Sequence, residues 1–258
     1  MYVPTPFREE RRDRLLNAIA HWNFGLLICW TGAAAGSLTP VPFRVERDGA
    51  PRLVTHLARA NPQAAGLAAE AGTPVTAFFL GPHAYVSPGW LTDVPGSVPT
   101  WNYVAVEVQG HARAMTEPER VSASLRDLSL QHEGPGGWSP DMLAPDRRAR
   151  LAQGVTAVEI TIDRIEGAWK LGQNKPLAAR RRMADRLEAT GGNSPARELA
   201  ELIRDSLAPE QSGERPRRRR SVVATWLRTW RRRVRGRGAL ARLDGRDRAD
   251  LGLRWEDA

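Results

Sequence analysis

Short apolar segments with β-strand character, separated by turn signals, constrain the fold of this chain more than any other feature. Val41–Glu46 and Arg52–Leu57 flank the turn Arg47–Pro51, whose Asp-Gly pair is typical of a β-hairpin. In Val104–Ala114 apolar and polar residues alternate, as in a strand with one buried face. Six or so such strands with hairpin connections favour a closed or half-closed antiparallel barrel over a doubly wound parallel sheet.

Helical periodicity accompanies the strands, so the predicted fold class is mainly β with helices (α+β). Thr116 is predicted to cap a helix over Glu117–His132, with Glu119 three residues later. Neither the glycine fingerprint of dinucleotide-binding folds nor the phosphate loop of nucleotide hydrolases occurs in the sequence. The other predicted strands are Gly25–Trp30, Thr73–Leu80 and Val155–Ile162, and the other predicted helices are Arg8–Trp22, Ala144–Gly154 and Pro176–Leu207 with a break at Gly191–Pro195.

The net charge of +9 comes from the end of the chain. Residues 1–214 carry 23 Lys+Arg against 24 Asp+Glu, whereas residues 215–258 carry 15 against 5. Only the C-terminal segment therefore indicates an anionic partner. We expect one domain over residues 1–207, a polar to basic linker over 208–220, and a short helical domain over 221–258.

Cysteine and histidine usage excludes several kinds of site. Cys29 is the single cysteine, so the chain forms no internal disulfide, and its apolar neighbours predict a buried, inert thiol. The five histidines show no metal-ligand spacing, and we expect no metal site. Met1–Asp13 is too polar for a signal peptide, and no apolar run reaches membrane-spanning length. These features predict a cytoplasmic protein without a membrane span.

Thr55–Gln63 is the first of four segments that combine polar side chains with proline or aromatic residues. It follows a predicted strand and ends at an Asn-Pro turn signal. Thr55, His56, Arg59 and Asn61 bring a guanidinium and neutral donors together, the combination that a phosphomonoester requires. The alternative interpretation is an ordinary turn with a solvated Arg59.

The second and third segments, Gly81–Trp90 and Val98–Tyr103, add aromatic rings. The second is predicted to be a loop that walls a ligand site, and the third to begin a strand whose rings pack against a ligand or a second subunit. The alternatives are a proline-stiffened surface loop and ordinary core or edge packing. The candidate ligand-contacting residues in these two segments are His83, Tyr85, Ser87, Trp101 and Asn102.

The fourth segment, Trp169–Lys175, follows a strand that is predicted to end near Ile165. Lys170, Gln173 and Asn174 offer further donors there, and the amides of a following helix N-terminus would also hold an anion. The alternative is a solvated cation.

The four segments occur in the order and at the spacing of the PaiB family, also called FMN-binding negative transcriptional regulators. The chain resembles that family over roughly residues 1–207, beginning with the opening Met1–Phe7. The resemblance implies a split β-barrel of the flavin-reductase and pyridoxamine-oxidase type, a homodimer, and FMN near the subunit interface. It nominates as cofactor-binding residues Thr55, His56, Arg59, Asn61, His83, Tyr85, Ser87, Trp101, Asn102, Lys170, Gln173 and Asn174.

This chain departs from the family pattern at four positions. Ala64 and Leu91 stand where the family has Trp and Tyr, and Gly172 stands where it has Ser. A position often held by His is Pro40 here. We expect these departures to affect FMN affinity more than the fold.

Leu240–Leu253 resembles the small arginine-rich YjiS-like domain of bacterial proteins, with Gly245 and Leu251 in place of a common Asp and Ile. Arginines beside aromatic rings suit phosphate backbones, and so predict DNA or RNA binding. The alternatives are docking to an acidic protein or an anionic membrane surface, and a solvated, mostly disordered tail. The candidate nucleic-acid contacts are Arg228, Arg231, Arg232, Arg233, Arg235 and Arg237.

Three functions remain open at the level of the sequence. The resemblance favours an FMN-binding negative transcriptional regulator, although the body contains no helix-turn-helix pattern. The second is an FMN-dependent oxidoreductase acting on a small substrate, since split-barrel relatives include such enzymes. The third is a nucleic-acid-binding adaptor that acts through its arginine-rich tail and whose barrel has lost its flavin.

Overall fold

The computed structural model describes residues 1–30, 35–67, 72–134, 136–191 and 195–207. The predicted linker and second domain, with the six candidate arginines from Arg228 to Arg237, lie outside these residues. Within the described ranges the strands are β1 (Arg8–Glu9), β2 (Phe24–Cys29), β3 (Leu38–Pro42), β4 (Arg44–Glu46), β5 (Arg52–Ala58), β6 (Thr73–Val86), β7 (Thr100–Ala114) and β8 (Val155–Lys170). The helices are α1 (Arg12–His21), α2 (Pro62–Gly66), α3 (Pro118–Glu133), α4 (Pro145–Gln153), α5 (Leu177–Gly191) and α6 (Pro195–Asp205).

One antiparallel sheet holds these strands in the order β3-β2-β6-β7-β8-β5-β4, with β1 paired to β8. The two end strands of this path, β3 and β4, are consecutive in the chain and are separated by Phe43 alone. The chain therefore joins both ends of the path, and the sheet curls into a barrel. Thr55 on β5 donates a hydrogen bond to the carbonyl oxygen of Pro42 on β3 at 2.6 Å, across this closing seam. The predicted fold class, a split barrel with helices, is confirmed.

Alternate residues of the long strands fill the barrel interior. Val104, Val106 and Val108 of β7 are fully buried, as the alternation in the sequence predicts. At the seam, Phe43 is fully buried and meets Phe79 edge-on, with the ring centroids 4.9 Å apart. Burial of a side chain of this size stabilises the fold by about 1.5–3 kcal/mol, so Phe43 stabilises the junction between β3 and β4.

The helices follow the predicted periodicity with shifted boundaries. α1 begins at Arg12 rather than Arg8, because Arg8–Glu9 pairs with β8 as β1. α3 begins at Pro118 behind Glu117, which makes no side-chain cap hydrogen bond, so the predicted Thr116 cap is wrong. α5 ends at Gly191 and α6 begins at Pro195, the two residues between which the break was predicted. None of the described helices combines the length and the apolar character that a membrane span requires.

Two strands run further than predicted. β6 continues to Val86, so the first half of Gly81–Trp90 is strand rather than loop, and β8 continues to Lys170. The Gly81-Pro82 pair, which resembles a loop signal, forms a β-bulge inside β6. A Cβ at Gly81 would lie 2.8 Å from the ring of Trp22, so packing requires glycine at this point.

Candidate functional site

The outer surface of β6, β7 and β8 carries a cluster of aromatic rings beside one ammonium group. His83, Tyr103 and Lys170 occupy directly opposite positions on the three strands. Tyr85 and Trp101 form the next opposite pair on β6 and β7. We call these five residues the aromatic face. It unites four sequence-predicted site residues, which come from three separate motifs.

The β6 bulge determines which way these side chains point. The β6–β7 register shifts between Leu80 and His83, so that Gly81 and Pro82 together oppose a single residue of β7. This shift moves the alternation by one residue, and both Leu80 and His83 are exposed on the outer surface. An unbroken alternation would have turned His83 toward the core. His83 Nδ1 lies 3.0 Å from the Gly81 carbonyl oxygen, a contact across the bulge itself.

Ring contacts hold the aromatic face together. The Trp101 ring centroid lies 6.1 Å from that of His83 and 6.3 Å from that of Tyr85, the latter pair meeting edge-on. Despite these contacts, Trp101 is 54 % and Tyr85 44 % exposed. Exposed rings of this size next to a cation suit a flat, heteroaromatic ligand that carries negative charge.

Lys170 supplies the cation of the aromatic face. Its Nζ lies 6.0 Å from the Tyr103 ring centroid and donates a hydrogen bond to Thr100 Oγ1 at 2.7 Å. Burial lowers the pKa of Lys170, and within the described ranges this ammonium makes no ion pair. Its charge is therefore not neutralised by a neighbouring carboxylate. Tyr103 was not among the predicted site residues, although its position two residues after Trp101 in a strand places it on the same face.

Asn102 and Ser87, which were predicted with this group, do not belong to the aromatic face. Asn102 follows Trp101 and is 2 % exposed; its amide Nδ2 has no hydrogen-bond partner among the residues described. A buried amide with an unused donor is a candidate ligand contact. Ser87 Oγ accepts a hydrogen bond from the Gly89 amide at 3.1 Å and caps the short 3₁₀ turn that follows β6. Ser87 therefore shapes the loop.

Two of the predicted phosphate-binding side chains have partners within the barrel. Thr55 is 1 % exposed and donates to the Pro42 carbonyl oxygen. Asn61 caps α2 by accepting from the Gln63 amide at 2.9 Å, and its Nδ2 donates to Thr39 Oγ1 at 2.9 Å. Both side chains tie β5 and α2 to β3. Through these hydrogen bonds, Thr55 and Asn61 stabilise the closing seam of the barrel.

The other two candidates of the same motif, His56 and Arg59, remain without such contacts. Arg59 is exposed, and its backbone amide donates to the Gly154 carbonyl oxygen at 2.8 Å. His56 Nδ1 is buried and has no hydrogen-bond partner among the described residues. Burial lowers the pKa of His56, so its imidazole is neutral near pH 7. A neutral ring and an exposed guanidinium are the available donors at this end of β5.

The two groups of candidates lie at opposite ends of β8. Thr55 is opposite Val158, whereas Tyr103 is opposite Lys170, twelve residues further along the same strand. At about 3.3 Å per residue, this is a strand contour of roughly 40 Å. The Thr55–Asn61 motif and the aromatic face thus belong to opposite ends of β8.

The turn after β8 has a structural role of its own. Gln173 Oε1 accepts from the Leu171 amide at 2.8 Å, and its Nε2 donates to the Trp169 carbonyl oxygen. Gly172 has a φ of +77°, and a Cβ there would lie 2.4 Å from Met183 Cε. Glycine in place of the family Ser at position 172 is therefore explained by the left-handed backbone conformation and by the close packing against α5. Asn174 is exposed at the end of this turn.

The other departures lie away from the aromatic face. Ala64 is 6 % exposed in the main core, and Leu91 is 2 % exposed in a smaller core with Val86 and Met183. Pro40 is exposed on β3, opposite Leu26 of β2. These substitutions replace the family side chains with apolar ones. They leave the four rings and the one ammonium group of the aromatic face in place.

The residues present fit a flavin. An isoalloxazine ring requires flat apolar walls and a few polar groups at its edge. Trp101, Tyr85 and Tyr103 offer such walls, and Lys170 offers a cation that makes no ion pair within the described ranges. The face of one chain is open, so a bound ring would keep one side uncovered.

Comparisons with known proteins agree with this chemistry. Residues 1–164 match the family model described as "Putative FMN-binding domain". The chain is 28 % identical over 211 residues to "Protease synthase and sporulation protein PAI 2" of Bacillus subtilis, covering 80 % of this chain and 98 % of that protein. It is also 28 % identical over 147 residues to an uncharacterized protein of Emericella nidulans, covering 46 % of this chain and 59 % of that protein.

Among solved structures, the flavocytochrome Anf3 from Azotobacter vinelandii is similar with a TM-score of 0.49 and 16 % identity, over 64 % of this chain and 70 % of that one. The FAD and heme binding protein from Mycobacterium smegmatis is similar with a TM-score of 0.48 and 17 % identity, over 64 % of this chain and 74 % of that one. The family model spans more than half of the present sequence. This chain therefore belongs to the PaiB-like family of FMN-binding domain proteins, and its cofactor is a flavin.

Proposed function

We propose that this protein is an FMN-binding negative transcriptional regulator of the PaiB type, which works as a homodimer and binds FMN on the aromatic face. The observation that carries the proposal is the cluster of the exposed Trp101 and Tyr85 with the half-buried Tyr103, beside a Lys170 ammonium that makes no ion pair within the described ranges. When bound, FMN supplies one-electron and two-electron redox chemistry. Its occupancy or redox state is the signal that alters the regulatory output.

In this proposal the chain's own residues orient the flavin. Trp101 stacks against the ring, the Tyr85 ring meets Trp101 edge-on beside it, and Lys170 faces the electron-rich edge of the flavin. The reduced flavin gains negative charge, so a nearby ammonium favours the reduced form. Asn102 alternates with Trp101 and Tyr103 on β7 and lies on the opposite, buried side of the strand, so its amide is not a contact for a ring on the aromatic face.

A second copy of the chain completes the site in this account. His56 lies roughly 43 Å and Arg59 roughly 50 Å of strand contour from Lys170 in the same chain, so the partner's Arg59 is the proposed phosphate ligand. A guanidinium binds phosphate bidentately, and a neutral imidazole adds one donor. Thr55 and Asn61 position this end of β5 through their bonds to β3.

The outer surface of β2, β3 and β6 supports the dimer. Phe24 is 64 %, Leu38 52 % and Leu80 48 % exposed on adjacent strands of this surface. Leu80 precedes His83 on the same side of β6, so the apolar surface continues into the aromatic face. Contiguous exposed apolar residues on a sheet mark an interaction surface, and a second copy covers this one and the open side of the flavin.

The test is the visible spectrum of the purified full-length chain after FMN is added and free FMN is removed by desalting. We expect a retained flavin spectrum in wild type and loss of most bound flavin in Lys170→Met. The matched control is Lys175→Met, which removes an ammonium from the same turn but not from the aromatic face. Equal retention by both variants would contradict the proposed placement of the ring.

An FMN-dependent oxidoreductase is the second candidate, favoured by the open side of the aromatic face, where a small substrate could stack on the flavin. Oxidation of NAD(P)H by the FMN-loaded protein discriminates the two functions. Turnover well above that of free FMN supports the enzyme, and its absence supports the regulator.

The arginine-rich tail, residues 215–258, is proposed to contact DNA or RNA through Arg228, Arg231–Arg233, Arg235 and Arg237. Fifteen basic residues against five acidic residues in that segment carry this proposal. Deletion of residues 215–258 should abolish nucleic-acid binding, and binding before deletion should weaken steeply with salt. Unchanged binding after deletion would exclude a role for the tail.

A further inference from the structure

A polar cavity lies between helix α3 and the β4–β5 hairpin. It encloses about 380 Å³, and Arg44, Arg52, Arg120 and Asp127 contribute to its wall. We call it the α3 cavity. It shares no residue with the aromatic face, and the four sequence motifs contribute none of its lining.

Guanidinium groups dominate the lining. Arg44 and Arg52 both bond to Glu46, whose two oxygens are thereby occupied. Arg44 Nη2 also lies 3.0 Å from Asp127 Oδ2. Arg120 projects from the first turn of α3 and bonds at 2.7 Å to Glu159, which lies outside the lining. The charged residues of the lining are Arg44, Arg47, Arg52, Arg120, Glu46, Asp48 and Asp127.

Donors outnumber acceptors in this cavity. Each guanidinium has five N–H donors and each carboxylate about four acceptor positions, and four guanidinium groups face three carboxylates. Outside the lining, Glu159 pairs with Arg120 at 2.7 Å and Glu117 approaches the same guanidinium at 4.0 Å, so the surplus of N–H groups belongs to Arg44, Arg47 and Arg52. Arg47 bonds to the Asn17 amide oxygen at 2.7 Å, and the buried Arg44 Nε has no acceptor within the described ranges. The wall of the cavity therefore has fewer oxygen acceptors than N–H donors.

We propose that the α3 cavity binds a small anion bearing carboxylate or phosphate groups, at a site separate from that of the flavin. Arginine is the side chain that recognises both groups, because its planar fork matches two oxygens at once. Val45, Met115 and Ala123 add apolar wall for a carbon skeleton. The bound anion links α3 to the β4–β5 hairpin through Arg120 and Arg52.

Isothermal titration of the FMN-saturated full-length chain tests this site, with malonate and inorganic phosphate as the two probes at constant sodium chloride. Arg120→Gln is compared with Arg126→Gln. Both arginines lie on α3, are 45 % and 43 % exposed, and bond to one carboxylate at 2.7 Å, but only Arg120 lines the cavity. We expect saturable binding in wild type, at least tenfold weaker binding in Arg120→Gln, and unchanged binding in Arg126→Gln.

Asp127→Asn should change the anion affinity in the opposite direction to Arg120→Gln. It removes a negative charge from the lining and should tighten anion binding several-fold, so the proposal stays testable if Arg120→Gln folds poorly. Preference for malonate over phosphate identifies a carboxylate ligand, and the reverse identifies a phosphate ligand. No saturable binding in wild type, or equal losses in Arg120→Gln and Arg126→Gln, would overturn the proposal. Wild type and all three variants keep the arginine-rich tail. Any anion binding by the tail therefore contributes equally to each titration and does not affect the differences between them.

Discussion

Tyr103 and Lys170 lie directly opposite each other on β7 and β8, with the ammonium nitrogen 6.0 Å from the ring centroid. The pair exists because β8 continues to Lys170, and the β6 bulge adds His83 to the same row. Residues that are 20 and 67 positions apart in the sequence thus share one exposed surface. The proposed flavin contacts depend on this register, and the following predictions test it and the structure that supports it.

Thr55→Val should destabilise the barrel without removing apolar contacts. Thr55 is 1 % exposed and its Oγ1 donates to the Pro42 carbonyl oxygen, so the change leaves that carbonyl without this donor. We expect a loss of about 1–3 kcal/mol in the free energy of unfolding, measured by urea denaturation. Thr55→Ser keeps the hydroxyl and should retain most of the stability. A Val variant as stable as wild type would show that the hydrogen bond does not hold the seam.

Gly172→Ala should also be destabilising, for a reason of backbone conformation. The residue has a φ of +77°, and the new methyl group would lie 2.4 Å from Met183 Cε. A left-handed non-glycine residue costs about 1–3 kcal/mol, and the shift of Met183 adds to this cost. Gly154→Ala is the control, because its φ is −77° and its nearest contact is 3.3 Å. Equal unfolding midpoints for the two variants would contradict this account of Gly172.

His56 should make stability depend on pH below neutrality. Burial lowers the pKa of His56, so the unfolded chain binds a proton more readily than the folded protein. Stability is therefore fully present above the unfolded pKa of about 6.5 and is lost as the pH falls from there through the folded pKa. His56→Gln should flatten this dependence between pH 7 and pH 5 in urea titrations. Carboxylates such as Glu9 and Glu166 contribute a slope of the same sign, so the informative quantity is the difference from wild type. Parallel curves would exclude this role for His56.

Leu80→Asp should convert the proposed dimer into monomers. Leu80 is 48 % exposed on the outer surface of β6, where a second copy is proposed to pack, and a buried carboxylate there would be unpaired. Light scattering after size-exclusion chromatography measures the mass directly. Leu177→Asp is the control, since Leu177 is 59 % exposed at the start of α5. A dimer that survives Leu80→Asp but not Leu177→Asp would place the interface elsewhere.

The sequence predicted the barrel well because strand alternation and the hairpin signal are local properties. Val104, Val106 and Val108 are buried as their spacing indicates. It did not predict the extension of β6 through Gly81 and Pro82, because both residues are ordinarily turn formers, and only the approach of Trp22 and the pairing with β7 explain them as a bulge.

The site was predictable in part. The strand position of Trp101 follows from its motif, whereas Lys170 was predicted to lie after the end of its strand. Their convergence depends on the β7–β8 register, which no local pattern encodes. Thr55 and Asn61 were predicted to bind phosphate because they are polar residues at a strand end. Their hydrogen bonds to β3 depend on closure of the barrel, a long-range contact that the sequence does not reveal. The α3 cavity likewise brings together distant hairpin and helix residues.

The central claim is that FMN stacks on the aromatic face, and calorimetric titration of FMN into Trp101→Ala and Trp138→Ala tests it most directly. Both tryptophans are about half exposed, at 54 % and 47 %, but only Trp101 belongs to that face. Loss of a stacking ring is worth about 1–3 kcal/mol, so Trp101→Ala should bind FMN roughly 5- to 150-fold more weakly while Trp138→Ala matches wild type. Wild-type affinity in Trp101→Ala would contradict the claim and move the flavin away from this surface.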